Sequence, residues 1–311
     1  MSELTDEAWD RLLRRIADGK CTPIVGRGVC SPSPPEGCDP AAWSFHYPLD
    51  AELSRRWAQQ VHYPFADFED LERVAQFVAV QRDGSAPKEF IQDLFSKAKP
   101  PDFSCENEPH RVLADLPFPI YATSNYDDFL TQAIKRKPEK NPRPLLCRWN
   151  EELPDDDPLF DRKGDKPTVA NPIVFHYFGR ADNTESLMLT EDDQFRFLTN
   201  LAPDGEELTN CHVKGAIGSN SLLFIGYTLR DRDFLILFRT LASFIRQSTR
   251  KHVAVQLAPD AVPGIDQAQA LDYLNSYFKG FNIQIYWGDS KKFAAELRAR
   301  WLAFQQNPEG K

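Results

Sequence analysis

The sequence predicts an α/β protein, a parallel sheet with helices on both faces, interrupted by one proline-rich insertion. Three observations carry this. Short, continuously apolar runs recur along the chain, as in Phe118–Asn125, Ile173–Gly179 and Ser221–Tyr227. Segments of helical period separate them, and continuous rather than alternating apolar strands belong to sheets covered on both sides. Four of the runs end in glycine or polar turns, the place where such sheets bind ligands.

Taken in order, Thr5 caps a helix whose apolar positions Trp9, Leu12, Leu13 and Ile16 fall at i, i+3, i+4 and i+7, and Gly19 ends it. Cys21–Val25 is a strand that runs into Gly26-Arg27-Gly28. The prolines of residues 31–37 require a loop. Helical periods return at 49–60 (Leu49, Leu53, Trp57), 69–82 (Leu71, Val74, Val78) and 88–98 (Phe90, Ile91, Leu94). Phe118–Asn125 is the second strand, followed by a helix over Asp127–Ile134. Residues 136–172 hold seven prolines and the run Asp155-Asp156-Asp157, with no sustained period, and are read as an irregular insertion. Ile173–Gly179 is a strand, and Thr190-Glu191-Asp192-Asp193 starts a helix with a capping box. Ser221–Tyr227 is a strand, Asp233–Ile245 a helix, Val253–Leu257 a strand, Leu271–Phe278 a helix, Ile283–Trp287 a strand and 290–304 a helix. Residues 1–311 form one domain on this reading, with 136–172 inserted in it.

Composition narrows the function. A net charge of −9 argues against a general nucleic-acid binder, which needs cations to neutralise phosphates. The six cysteines, at 21, 30, 38, 105, 147 and 211, include no CxxC pair, so no zinc ribbon, dithiol motif or other metal site is read. Their scatter suggests reduced thiols and a cytoplasmic protein. The acidic N-terminus lacks the apolar core of a signal peptide, and no apolar run reaches spanning length.

The candidate site is the set of turns at the strand ends. Gly26 and Gly28 suit close approach of backbone amides to a diphosphate, with Arg27 as an adjoining cation, although a plain tight turn explains them equally. Ser124-Asn125-Tyr126-Asp127 follows a buried strand, where polar groups are costly unless they cap a helix or act on a ligand. Gly179, and Gly226 with Thr228 and Asp231, supply two further turns, with capping as the alternative for the last two. His46, His62, His110, His212 and His252 are isolated and read as structural or surface residues.

Several segments resemble, in order, the SIR2-like domain family of bacterial defence proteins, distant relatives of the sirtuins. They are Pro23–Gly28, Pro109–Leu113, Ala122–Leu130, Val174–Gly179, Leu189–Phe195 and Leu223–Phe234, which together cover about residues 10–260. The resemblance implies a Rossmann-like fold and an effector that cleaves NAD⁺ to nicotinamide and ADP-ribose during antiphage defence. It implies NAD⁺ or ADP-ribose as ligand, and a homo-oligomer or a complex with a sensor or ATPase partner, with no membrane or direct nucleic-acid role. Carried over from the family, Asn125 positions ribose or water; on the reading of the turns themselves, Asp127 stabilises charge, and Gly26, Arg27, Gly28, Ser124, Gly179, Gly226, Thr228 and Asp231 hold the nucleotide. The family's catalytic His precedes the glycine of an LHG-like motif, where this chain has Phe178. His176, two residues earlier and roughly 6–7 Å further back on a straight strand, is the substitute base or a strand histidine of the core or pocket wall. Phe178 therefore raises a rival reading, a catalytically impaired NAD- or ADP-ribose-binding or assembly module. The missing CxxC pairs speak against a zinc-dependent deacylase.

Overall fold

A computed structural model describes residues 4–30, 33–40, 43, 45, 47, 51–150, 153, 164–200, 210–228, 232, 234–238, 241, 250–257 and 266–306. The predicted positions Leu49, Asp155–Asp157 and Asp231, and much of the 233–245 helix, lie outside these residues.

Seven strands form one sheet: β1 (Cys21–Val25), β2 (Ile120–Thr123), β3 (Arg143–Leu146), β4 (Ile173–His176), β5 (Ser221–Ile225), β6 (His252–Gln256) and β7 (Ile283–Trp287). Their order is β3-β4-β2-β1-β5-β6-β7, and every pair is parallel. Residues of β1, β2, β4, β5 and β6 are buried without alternation, so both faces are covered, as the apolar runs predict. The described helices are α1 (Asp6–Ala17), α2 (Ala51–Gln60), α3 (Leu71–Gln81), α4 (Ala86–Ser96), α5 (Pro109–Asp115), α6 (Phe129–Lys135), α7 (Glu191–Asn200), α8 (Cys211–Ser219), α9 (Gln267–Lys279) and α10 (Ser290–Gln306). Thr5 caps α1 through the amide of Ala8, and Trp9 of that helix stacks on Phe293 of α10 at 5.2 Å.

Two expectations are corrected. The segment 136–172 is not irregular throughout, because Arg143–Leu146 is an edge strand in register with β4. Its four residues stand among the prolines of a segment without sustained period, and Pro144 is tolerated there because β3 is an edge strand. The cysteines are not all free either. Cys38 and Cys105 form a disulfide with a Cα–Cα distance of 5.4 Å, while Cys21, Cys30 and Cys147 are buried thiols. No described helix is long and apolar enough to cross a membrane, and no metal-binding group of side chains occurs among the described residues.

The topology positions the site. The chain leaves β1 toward β2, and it returns to the other side of β1 as β5. The turns after β1, β2, β4 and β5 therefore lie at one edge of the sheet, around this reversal.

Candidate functional site

The turn after β2 is built by hydrogen bonds that release Asn125 from the sheet. The Thr123 hydroxyl donates to the Val25 carbonyl at 2.9 Å and accepts from the Asn125 amide at 3.0 Å. Asn125 is only 5% exposed, yet its carboxamide has no hydrogen-bond partner among the described residues. It lines a crevice of about 10 Å³ together with Arg27, Tyr47, Leu71, Glu72, Ser124 and Tyr126. That space holds about one water.

Asp127 follows, fully committed. One carboxylate oxygen accepts from the Phe129 amide at 2.9 Å and so caps α6, and the other accepts from the Tyr47 hydroxyl at 3.0 Å. Burial raises its pKa above the ordinary carboxylate range, against the pull of nearby His110. His110 is itself part of a buried chain. Its Nδ1 lies 2.7 Å from Glu108, and its Nε2 lies 3.8 Å from the Cys30 sulfur.

His176, not Phe178, stands beside Asn125. Its Nδ1 is 3.3 Å from the Asn125 carbonyl, which assigns the proton to Nδ1 and leaves the Nε2 lone pair buried and unpartnered. Burial, with the Arg180 charge added, pushes its pKa down to about 3. The imidazole is therefore neutral at physiological pH and a weak base while it stays buried. Phe178 is fully buried, edge-on to Phe197 of α7 at 5.3 Å. β4 ends at His176, and the chain goes on through Phe178 to Gly179, whose φ is +84°.

The glycines pack against one another. Gly26 and Gly28 donate their amides to the carbonyls of Ile225 and Gly226, each at 2.8 Å. A Cβ on Gly26 would meet the Tyr227 ring at 2.6 Å, and Gly226, with φ +83°, abuts the Gly26 carbonyl. Two of the amides expected to cradle a diphosphate are thus spent on locking β1 to β5. The Tyr227 hydroxyl completes the lock, donating to Val25 at 3.0 Å and meeting the Ser124 hydroxyl at 3.0 Å. Thr228 is half-buried beyond this lock and does not line the Asn125 crevice.

Beyond Asp127 the surface opens into a cleft of about 650 Å³ between α4, α6 and the turn after β4. Phe95, Tyr126 and Phe129 wall it, Glu89, Asp93, Asp127, Asp128 and Asp182 bring carboxylates, and Arg180, paired with Asp182, is the cation among its lining residues. Sequence reasoning missed Tyr47, Arg180 and the Glu108–His110–Cys30 chain. A signal existed only for His110, whose partner Glu108 lies two residues away.

A parallel sheet with this order and these turns defines a Rossmann-like α/β protein with its candidate site at the strand ends. Residues 119–285, more than half of the chain, match the SIR2-like domain family, and the chain belongs to that family. Among curated relatives, the NAD(+) hydrolase ThsA of Enterococcus faecium is 26% identical over 149 residues, 48% of this chain and 28% of the relative. The NAD(+) hydrolase ThsA of Cytobacillus dafuensis is 29% identical over 154 residues, 49% of this chain and 28% of the relative. That of Acinetobacter baumannii is 20% identical over 253 residues, 79% of this chain and 44% of the relative. The matched part of the chain thus spans less than half the length of these relatives.

Proposed function

We propose that the protein is an NAD⁺ glycohydrolase acting as an effector in bacterial antiphage defence. The bond between the anomeric carbon and the nicotinamide nitrogen breaks, and neutral nicotinamide leaves with the electron pair. Water adds to the anomeric carbon and releases a proton, so NAD⁺ and water give ADP-ribose, nicotinamide and H⁺. Asn125 positions the ribose or the water, and the Asp127 carboxylate stabilises the oxocarbenium-like state. His176 contributes through its buried Nε2 only if the crevice opens to it. Ser124, Arg27 and the turns at Gly26, Gly28, Gly179, Gly226, Thr228 and Asp231 frame the nucleotide. The protein works in the cytoplasm as a homo-oligomer or with a sensor or ATPase partner.

The observation that carries this reading is the partnerless carboxamide of Asn125 at the end of β2, in a chain of this family whose relatives are named NAD(+) hydrolases. A second reading, an NAD- or ADP-ribose-binding or assembly module, is favoured by Phe178 in the place of the family's His. Losing a general base costs about 10²–10⁴-fold, which slows cleavage without forbidding it, because the pyridinium already carries the charge that nicotinamide sheds on leaving. Nicotinamide release from NAD⁺ by the purified protein and by Asn125→Ala separates the two. Release that Asn125→Ala abolishes supports hydrolysis. ADP-ribose binding without release supports the second reading, and release unchanged in Asn125→Ala refutes the site.

A further inference from the structure

The crevice at Asn125 and the large cleft are neighbours among the described residues. Both are lined by Tyr126, and Tyr47 stands at the partition. The Tyr47 side chain lines the crevice, while its hydroxyl holds Asp127, a wall of the cleft, at 3.0 Å. Its ring is gripped edge-on by Phe95 at 5.8 Å and Phe129 at 6.5 Å, two further walls of the cleft. On one side lies about 10 Å³ beside an unpartnered carboxamide, and on the other about 650 Å³ of open, mostly polar space.

We infer that Tyr47 is an internal plug that decides access to Asn125, so that a ligand entering by the cleft must displace this side chain from Asp127. The inference rests on the proposed function only for the identity of that ligand, a nucleotide. Three properties suit Tyr47 to the role. One hydrogen bond to a single carboxylate fastens it, so the latch can be undone without breaking backbone structure. Its ring fills space beside Asn125, so its departure enlarges the crevice toward the cleft. Asp127 is the group it covers, so the same displacement frees one carboxylate oxygen for a ligand, while the oxygen that caps α6 stays in place. A protein that populates the displaced state in a small fraction binds ligand more weakly by that fraction, and truncating the plug removes the penalty.

The test reads access directly, apart from catalysis. Asn125→Cys places a thiol in the crevice, and its alkylation by iodoacetamide is followed at that peptide by mass spectrometry, with Tyr47 intact, Tyr47→Phe or Tyr47→Ala. The expected result is slow labelling with Tyr47, about tenfold faster with Phe, which loses a hydrogen bond to a charged group, and faster still with Ala. Equal rates in the three, with unchanged near-UV circular dichroism, overturn the inference. Should Tyr47→Ala not fold, Tyr47→Phe alone decides. In a second arm, ADP-ribose binding is measured with Asn125 intact, and Tyr47→Ala is expected to bind more tightly than the unaltered protein. Faster labelling with no ADP-ribose binding in any variant supports the plug and refutes the nucleotide reading instead.

Discussion

Replacing Phe178 by His restores the residue that the family resemblance puts before the glycine, and the structure predicts that it damages the fold without supplying a base. The Phe178 ring is fully buried and meets Phe197 edge-on at 5.3 Å with an interplanar angle of 84°. Fully burying a phenylalanine contributes about 1.5–3 kcal/mol, of which the smaller, more polar imidazole keeps a part. The aromatic pair adds about 0.5–1.5 kcal/mol, and a buried imidazole without partners costs about 1–3 kcal/mol. Together these give a loss of about 3–5 kcal/mol, at the upper end for one substitution and a large share of a typical total stability. At about 2 °C per kcal/mol for a chain of this size, the melting midpoint falls by roughly 6–10 °C. Thermal melts followed by circular dichroism measure this, and nicotinamide release at a temperature where both proteins stay folded measures activity. A Phe178→His protein that melts within about 2 °C of the original and releases nicotinamide at least tenfold faster would refute the placement of this ring in the core.

Further outcomes follow from the same contacts. Gly226→Ala puts a side chain at φ +83° against the Gly26 carbonyl, and we expect at least about 2 kcal/mol of lost stability in urea melts. His176 and His252 have pKa values lowered by burial to about 3 and about 4, below the ordinary 6.5. The folded state then binds fewer protons than the unfolded one, so the stability they contribute is present above pH 6.5 and is lost as pH falls toward those values. We expect about 1 kcal/mol per pH unit from each between pH 6 and pH 4, and His252→Gln should flatten the slope measured in urea melts at stepped pH. His252 also accepts the Leu222 amide at 3.0 Å through Nδ1, a bond that protonation breaks. Cys38→Ser opens a bridge between residues 67 apart in sequence, and chain entropy sets the loss at up to about 4 kcal/mol in non-reducing buffer. An equal change produced by reductant on the unaltered protein checks it.

The sequence made six of the seven strands legible because each is a predominantly apolar run. It concealed β3, whose four residues carry a proline and stand among others. It brought Asn125 and His176 into one candidate site, and the structure sets His176 Nδ1 3.3 Å from the Asn125 carbonyl. The contacts that close the site were out of reach for a different reason. Tyr47 meets Asp127 and Cys30 meets His110 across 80 residues of chain, and neither pairing leaves a periodicity or a spacing in the sequence. Thiols 38 and 105 likewise look unrelated until the fold brings them together.

The glycine turns change meaning once their amides are traced. In sequence, glycine after a strand suggests room for a phosphate. Here Gly26, Gly28 and Gly226 are small so that two turns can interlock, and the Tyr227 ring fills the space at Gly26 where a side chain would otherwise point. Among the described residues the turns after β1 and β5 are thus locked together, and a cleft of about 650 Å³ lies at the ends of β2 and β4. Asn125 stands between the two. We expect a ligand to reach it from the β2–β4 side, where Arg180, 9% exposed, pairs with Asp182 through a terminal nitrogen and keeps its Nε unpartnered. On the proposed function, we expect the phosphates of a nucleotide to meet Arg27 and Arg180 rather than the glycine amides. Arg180→Gln should then weaken ADP-ribose binding by about tenfold or more, while Gly28→Ala should act on stability first, and binding lost equally in both would contradict the assignment.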